Sequence, residues 1–324
     1  MPEALPCAGS WNASFAERTT FRVGGAARVL LEPSSRQEIE TALNWVREHR
    51  LPLFVLGRGS NLVVSDAGWD GAVLSIGRNL SGVSWDGFGV SVLAGTRLTE
   101  FVLGAVGRGV AGFEKLSGIP GTVGGAVTMD AGAYGQEIGE RTISVEAISP
   151  AGEWRRFSRE ECAFGYRTSL FRAGGWIVTE AQFEGLPGDS ALLKASVKEV
   201  QVSRREKQPL EHPNAGSLFK RPPGGFAAKL IDEAGLKGFR IGDAAISEKH
   251  AGFAVNLGHA TAQEVWELSC RVIEAVQAKS GIVLERSIVC VVVSRTGAAV
   301  SASCWSSAPL RVALSSIHGI SLSA

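Results

Sequence analysis

An excess of either charge is the first thing this 324-residue chain lacks: 33 Lys and Arg stand against 32 Asp and Glu, a formal net charge of +1. So close a balance supplies no basic stripe for nucleic acid and no polybasic run for an anionic membrane surface. Nor is there an uninterrupted apolar run of the length that a bilayer span requires, and residues 1–9 lack the basic segment followed by an apolar one that marks a secretory leader. These absences favour a cytoplasmic protein with no nucleic-acid or membrane partner. Cysteine is sparse and scattered. Cys7, Cys162, Cys270, Cys290 and Cys304 include no C-x-x-C pair and no histidine at ligand spacing, so neither a disulfide framework nor a metal site is expected. The dinucleotide fingerprint, G-x-G-x-x-G opening a helix, is also missing.

What is abundant is glycine, 40 residues in all. The stretch 117–135, S-G-I-P-G-T-V-G-G-A-V-T-M-D-A-G-A-Y-G, holds six of them. Glycine serves where a backbone takes positive φ or approaches a ligand too closely for a β-carbon. With Pro120 stiffening one turn and Ile119, Val123, Ala126, Val127 and Met129 interleaved, the stretch reads as an ordered, buried loop lying against something large and flat. The residues alone leave a tight turn in a β-rich core as the alternative. A second loop, G-R-G-S-N-L-V-V-S-D at 57–66, gathers free backbone N–H groups and the side chains of Ser60 and Asn61 in one turn, an arrangement suited to a pyrophosphate. An ordinary strand turn is its alternative. Two such loops in one chain point to a single flat, phosphate-bearing cofactor facing both.

Hydrophobic periodicity orders the rest. A strand at 28–32, a helix over 36–49 opened by the capping box Ser35-Arg-Gln-Glu38, and a strand at 52–56 form an α/β unit. Strands are predicted near 72–76 and 89–94, a helix over 98–106, β segments at 142–149, 153–157 and 176–183, and a helix over 191–205. A domain boundary follows near 208–210, and a last helix is opened by the capping box Thr261-Ala-Gln-Glu264. Tyr166 and Arg167, adjacent in C-A-F-G-Y-R-T-S-L-F, suit an anion because a guanidinium forks onto carboxylate or phosphate; a surface salt bridge is the bland alternative. His250 has no partner at ligand spacing and reads as structural. From Ser287 the chain changes character: its last 38 residues hold ten serines and no Asp, Glu or Lys, the composition of a tail outside the packed domain.

T-T-F-R-V-G-G, L-G-R-G-S-N-L, the glycine stretch, F-G-Y-R-T-S-L-F, A-G-S-L-F-K-R-P and S-E-K-H-A-G-F-A-V-N resemble, in order and over roughly 12–284, the motifs of the UDP-N-acetylenolpyruvoylglucosamine reductase family in its shorter form. The resemblance implies an α+β fold: an FAD-binding PCMH-type (vanillyl-alcohol-oxidase-like) flavin domain in two parts, 1–80 and 81–206, then a C-terminal α/β substrate domain, 207–290. Residues 291–324 remain as an atypical serine-rich tail. It implies noncovalent FAD along Gly57, Arg58, Gly59, Ser60 and Asn61 and along Gly118, Ile119, Pro120, Gly121, Thr122, Gly124, Gly125, Ala131, Gly132 and Tyr134. NADPH is the implied hydride donor. The implied substrate is UDP-N-acetylglucosamine enolpyruvate, reduced to UDP-N-acetylmuramate for peptidoglycan synthesis by a monomer. By resemblance Arg167 is the catalytic cation beside the substrate carboxylate, Ser217 the catalytic proton donor, and Tyr166 and Lys220 bind substrate.

The chain departs from the family pattern at two positions. Ser287 stands where G-x-x-L-x-x-E places a second acidic catalytic residue, and Asp130 stands where asparagine is usual. The first supports an alternative, a catalytically impaired flavin-binding homologue. Glu285 would share the side of Ser287 on a strand. A change of reading frame near codon 287 is a hypothesis that accounts for both the missing glutamate and the acid-free tail; other frames downstream without an acidic, family-like ending would sink it. Two rivals are weaker. Ser217-Leu-Phe-Lys220 fits the S-x-x-K of serine acyl-enzymes, but S-D-N and K-T-G are absent. A covalent flavin oxidase wants His or Cys as its anchor, and between Arg50 and Glu211 there is no histidine and only Cys162.

Overall fold

The computed structural model describes residues 4–173, 175–293 and 299–301. The Ser35 hydroxyl accepts the amide of Glu38, so helix α1 (Arg36–Glu48) starts where predicted and buries Ile39, Ala42, Leu43 and Val46 along one face. The other half of the predicted capping box is not made, because the Glu38 carboxylate accepts from Ser34 instead. α1 connects strands Ala26–Leu31 and Leu53–Leu56, both parallel to Trp69–Ser75, which runs between them. Gly9–Ser14 adds an antiparallel edge strand that periodicity does not predict: only Ala13 is buried, and Asn12 at φ 55 breaks the alternation.

The second sheet has five antiparallel strands in the order Trp154–Ser158, Thr142–Ile148, Ile177–Glu184, Gly89–Leu93 and Val83–Asp86. With it go α2 (Leu98–Gly107), α3 (Val123–Thr128) and α4 (Ser190–Lys207), the last capped by Asp189, whose carboxylate accepts from Ala191 and Leu192. One core joins the two sheets, from Val29 and Leu74 on one side to Val145 and Phe183 on the other. Phe101, Phe113 and Phe183 pack at its centre with ring centroids 4.8 to 5.9 Å apart. Each buried ring contributes on the order of 2–3 kcal/mol.

The glycine stretch is not the continuous loop predicted, for α3 runs through its middle. Two glycines in six residues make a poor helix by propensity. Packing overrides propensity here: a β-carbon on Gly124 would lie 2.8 Å from that of Ala94, so only glycine lets this turn sit on the sheet.

The third unit holds α5 (Ala227–Glu233), α6 (Ala262–Ser280) and a sheet of Arg240–Ile241, Ala244–Ile246 and Ala254–Asn256. Ile231, Ile246, Leu268, Val272 and Val276 form its core, joined by Phe21 and Val23 from the N-terminal region. The predicted capping box at Thr261 and Glu264 is complete. The Asp66 carboxylate reinforces it, accepting from the amides of Ala262 (2.8 Å) and Gln263 (3.0 Å). The expected tail begins later than Ser287. Ile288 and Cys290 are buried, and strand Val289–Val293 pairs in parallel with Leu62–Val64 and antiparallel with Ala299–Ser301. Six residues of I-V-C-V-V-V suit a pleated, half-buried surface whatever follows them. The rest of the predicted tail, 294–298 and 302–324, lies outside the described residues.

Candidate active site

Loop 57–61 leaves strand Leu53–Leu56 and turns sharply at Gly59, φ +63, where a β-carbon would sit 2.5 Å from the Arg18 carbonyl oxygen. A β-carbon on Gly57 would lie 2.8 Å from Thr122 Oγ1, and Ser60 Oγ donates to the Pro120 carbonyl at 2.8 Å, so this loop and the glycine stretch form one surface. Among the described residues, the N–H groups of Arg58, Gly59, Ser60, Asn61, Gly118 and Gly121 meet no acceptor. A row of unsatisfied amides on a surface stripped of β-carbons is what a pyrophosphate-bearing flavin requires. Five of the remaining predicted cradle residues shape this surface rather than add amides to it. The N–H groups of Ile119, Gly124 and Ala131 are committed to Leu116, Ala94 and Ala126, that of Gly125 to Thr122 Oγ1, and Pro120 has none. Tyr134 is exposed and its hydroxyl donates to Ser203 Oγ at 3.4 Å.

Arg167 comes to this surface from the far side. Its guanidinium donates to the carbonyls of Gly132 (2.8 Å) and Asp130 (3.3 Å) and lies 5.3 Å from the centre of the Tyr166 ring. It makes no ion pair with a carboxylate among the described residues, so the surface salt bridge set against it is not what the residue does. A guanidinium carries five N–H donors, and those not held by the two carbonyls remain for a ligand. Asp130 turns its carboxyl to the Gly139 amide (3.0 Å). Burial, with Glu137 and Glu140 adding to it and Gly139 and Arg167 opposing, pushes that carboxyl up to about 6.

From the third unit, Ser217 pairs with Phe253 in an isolated antiparallel bridge and is exposed, its hydroxyl free of partners among the described residues. Lys220 donates through its amide to the Glu285 carbonyl (2.8 Å), and its ammonium pairs with the Glu285 carboxylate. The segment around Arg286 is extended and runs antiparallel to the one around Phe219, but Glu285 does not fill the place of Ser287: its side chain is 72% exposed and held by Lys220, whereas Ser287 is 8% exposed. The Ser287 backbone amide donates to the Leu218 carbonyl (2.9 Å), and its carbonyl oxygen accepts from Asn61 Nδ2 (3.3 Å).

These contacts close a ring. Ser60 joins Pro120, Arg167 joins Gly132, the Tyr166 hydroxyl accepts the Arg221 amide (3.1 Å), Lys220 joins Glu285, and Ser287 joins Asn61. The segments carrying Gly57, Gly118, Arg167, Ser217 and Ser287 are thus linked in one frame. His250 stands outside the ring: its Nδ1 accepts the Gly252 amide, its ring packs on Phe253, and burial lowers its pKa, the features of a structural histidine. Among the described residues no group of His, Cys, Asp and Glu is placed to hold a metal. Nothing in the sequence marks Arg221 or Asp66 as part of the frame, because each works through a partner distant in the chain.

Two family models match the chain, one described as an FAD binding domain over residues 27–158 and one as the UDP-N-acetylenolpyruvoylglucosamine reductase C-terminal domain over 208–291. The UDP-N-acetylenolpyruvoylglucosamine reductase of Streptococcus uberis is 43% identical over 270 residues, 83% of this chain and 89% of its own. That of Shouchella clausii is 42% identical over 273 residues, 84% of this chain and 88% of its own. The crystal structure of UDP-N-acetylenolpyruvylglucosamine reductase from Thermus caldophilus superimposes with a TM-score of 0.74 at 37% identity, covering 87% of this chain and 98% of that one.

Proposed function

The chain belongs to the UDP-N-acetylenolpyruvoylglucosamine reductase family, and from that premise we propose that it reduces UDP-N-acetylglucosamine enolpyruvate to UDP-N-acetylmuramate for peptidoglycan synthesis, with Arg167 and Ser217 as catalytic residues. The observation that carries this is the closed ring of contacts, which joins motifs distant in the chain into one frame. FAD bound here would supply the hydride chemistry, passing to the enolpyruvyl double bond the hydride that NADPH provides.

The amides of 58–61, Gly118 and Gly121 would hold the pyrophosphate, and the glycine surface would admit the flat ring. Hydride addition to an enol ether bearing a carboxylate leaves negative charge on the carbon next to that carboxylate and, by conjugation, on its oxygens. Arg167, fixed by two backbone carbonyls, presents its other N–H groups to those oxygens and stabilises the charge as it develops. The carbon is then protonated by the Ser217 hydroxyl, an acid weak enough to serve only a very basic centre. Lys220 and Tyr166 stand on either side of Arg221 in the ring and bind the substrate's polar end. The flavin stays noncovalent: Cys162 is fully buried, and burial pushes its thiol up to about 12. A monomer is part of this proposal, to be checked by light scattering of the purified protein. Among the described residues no helix is long and apolar enough to cross a membrane, which is compatible with work in the cytoplasm.

A specific observation favours a second reading, a protein that completes only the first half of the cycle. Ser287 sits in the ring with no carboxylate, and Glu285 is taken by Lys220. The test is anaerobic. NADPH should bleach the yellow protein, and UDP-N-acetylglucosamine enolpyruvate alone should restore the colour. Bleaching without recovery selects the impaired reading, and Ser287→Glu is then expected to restore recovery, since one missing stabilising group costs on the order of 10²-fold in turnover. Colourless protein that FAD cannot reconstitute overturns both.

A further inference from the structure

The last turns of α4 lie across the start of the glycine stretch. Gln201 donates to Ser117 Oγ at 3.3 Å, and the Arg204 stem crosses Gly118 so closely that a β-carbon there would be 3.0 Å from Cδ and 3.1 Å from Nε. Beside this crossing opens a cavity of ≈ 140 Å³ lined by Gly118, Gln201, Arg204, Arg205 and Leu210. Arg204 Nε is buried and has no hydrogen-bond partner, and burial lowers the pKa of the guanidinium. Among the described residues neither Arg204 nor Arg205 makes an ion pair with a carboxylate. A desolvated cation with an idle donor is costly, and an anion in the cavity removes that cost.

We propose that this cavity binds a phosphate group, with Arg204 donating to its oxygens across Gly118 and Arg205 supplying a second positive charge. Two guanidinium groups suit a phosphate because their forked donors match its oxygens. The inference rests on the flavin and UDP-sugar reading above, since FAD, NADPH and the UDP-sugar all carry phosphates. Arg204 is tied to the cradle through Gly118 and to the third unit through the next residue, whose carbonyl accepts from Lys249 Nζ (2.8 Å), so the site lies on the seam that a nucleotide would cross.

The experiment compares full-length wild type with Arg204→Gln and Arg204→Lys, both of which keep much of the stem over Gly118. Flavin fluorescence gives the FAD dissociation constant of the apoprotein, and calorimetry on the oxidised holoenzyme gives those of UDP and NADP⁺, each at two salt concentrations. Arg204→Gln should weaken one of the three by roughly tenfold or more and flatten its salt dependence; Arg204→Lys should recover part of the loss. The ligand affected identifies whose phosphate is held. Arg205→Gln, at an exposed position, tests the site without disturbing the buried contact and should weaken the same ligand severalfold. All three constants unchanged in both Gln variants overturns the site while leaving the flavin reading intact. A wild type that binds neither FAD nor UDP overturns the reading beneath it.

Discussion

Asp130→Asn should stabilise the protein at neutral pH and leave it nearly unchanged in acid. Asp130 is 3% exposed, and its carboxyl goes from an ordinary value of 3.8 up to about 6 in the folded chain. Between those values the folded state keeps a proton that the unfolded state has lost. The contribution of this group to stability is therefore fully present below about pH 4 and is lost as pH rises through about 6. At 1.36 kcal/mol per pKa unit, the loss reaches about 3 kcal/mol. An asparagine oxygen can still accept the Gly139 amide (3.0 Å to Oδ1 in the wild type) and never ionises. Urea unfolding of both proteins in parallel, from about pH 4 to about pH 8, should show a difference near zero in acid that grows to roughly 2–3 kcal/mol above about pH 7. A difference independent of pH, or a variant less stable than wild type at neutral pH, would refute the account of Asp130 as a buried carboxyl ionised against its surroundings.

Asp66→Ala removes the carboxylate that accepts from Ala262 and Gln263, and should lower stability by about 1–2 kcal/mol in thermal or urea unfolding, with Thr261 still capping the helix. Ser217→Ala should leave bleaching by NADPH at the wild-type rate in stopped-flow absorbance and slow the return of colour with substrate by on the order of 10²-fold or more. Equal slowing of both steps would move Ser217 from proton donor to a part of the frame. Gly59→Ala places a β-carbon 2.5 Å from the Arg18 carbonyl at positive φ; it should lower bound-flavin content in the purified protein, measured by absorbance after denaturation.

Features that depend on neighbours along the chain are legible in the residues alone. Ser35 and Thr261 cap α1 and α6 through residues three positions on, and the glycines of 57–61 and 117–135 mark a turn and a surface bare of β-carbons. The order of motifs carried the flavin fold for the same reason, since each motif is a local backbone geometry. The helix within the glycine stretch was not legible, because packing of Gly124 on Ala94 outweighs propensity. Strand Val289–Val293 was hidden by the serine-rich composition around it, although its own residues suit a sheet. The pairings across the chain come from the fold: Asp66 with α6, Asn61 with Ser287, Tyr166 with Arg221, Glu285 with Lys220, Arg204 over Gly118. A hydrogen bond or a close approach needs two groups brought within a few ångströms by the burial of the cores, and nothing in the spacing of either partner names the other.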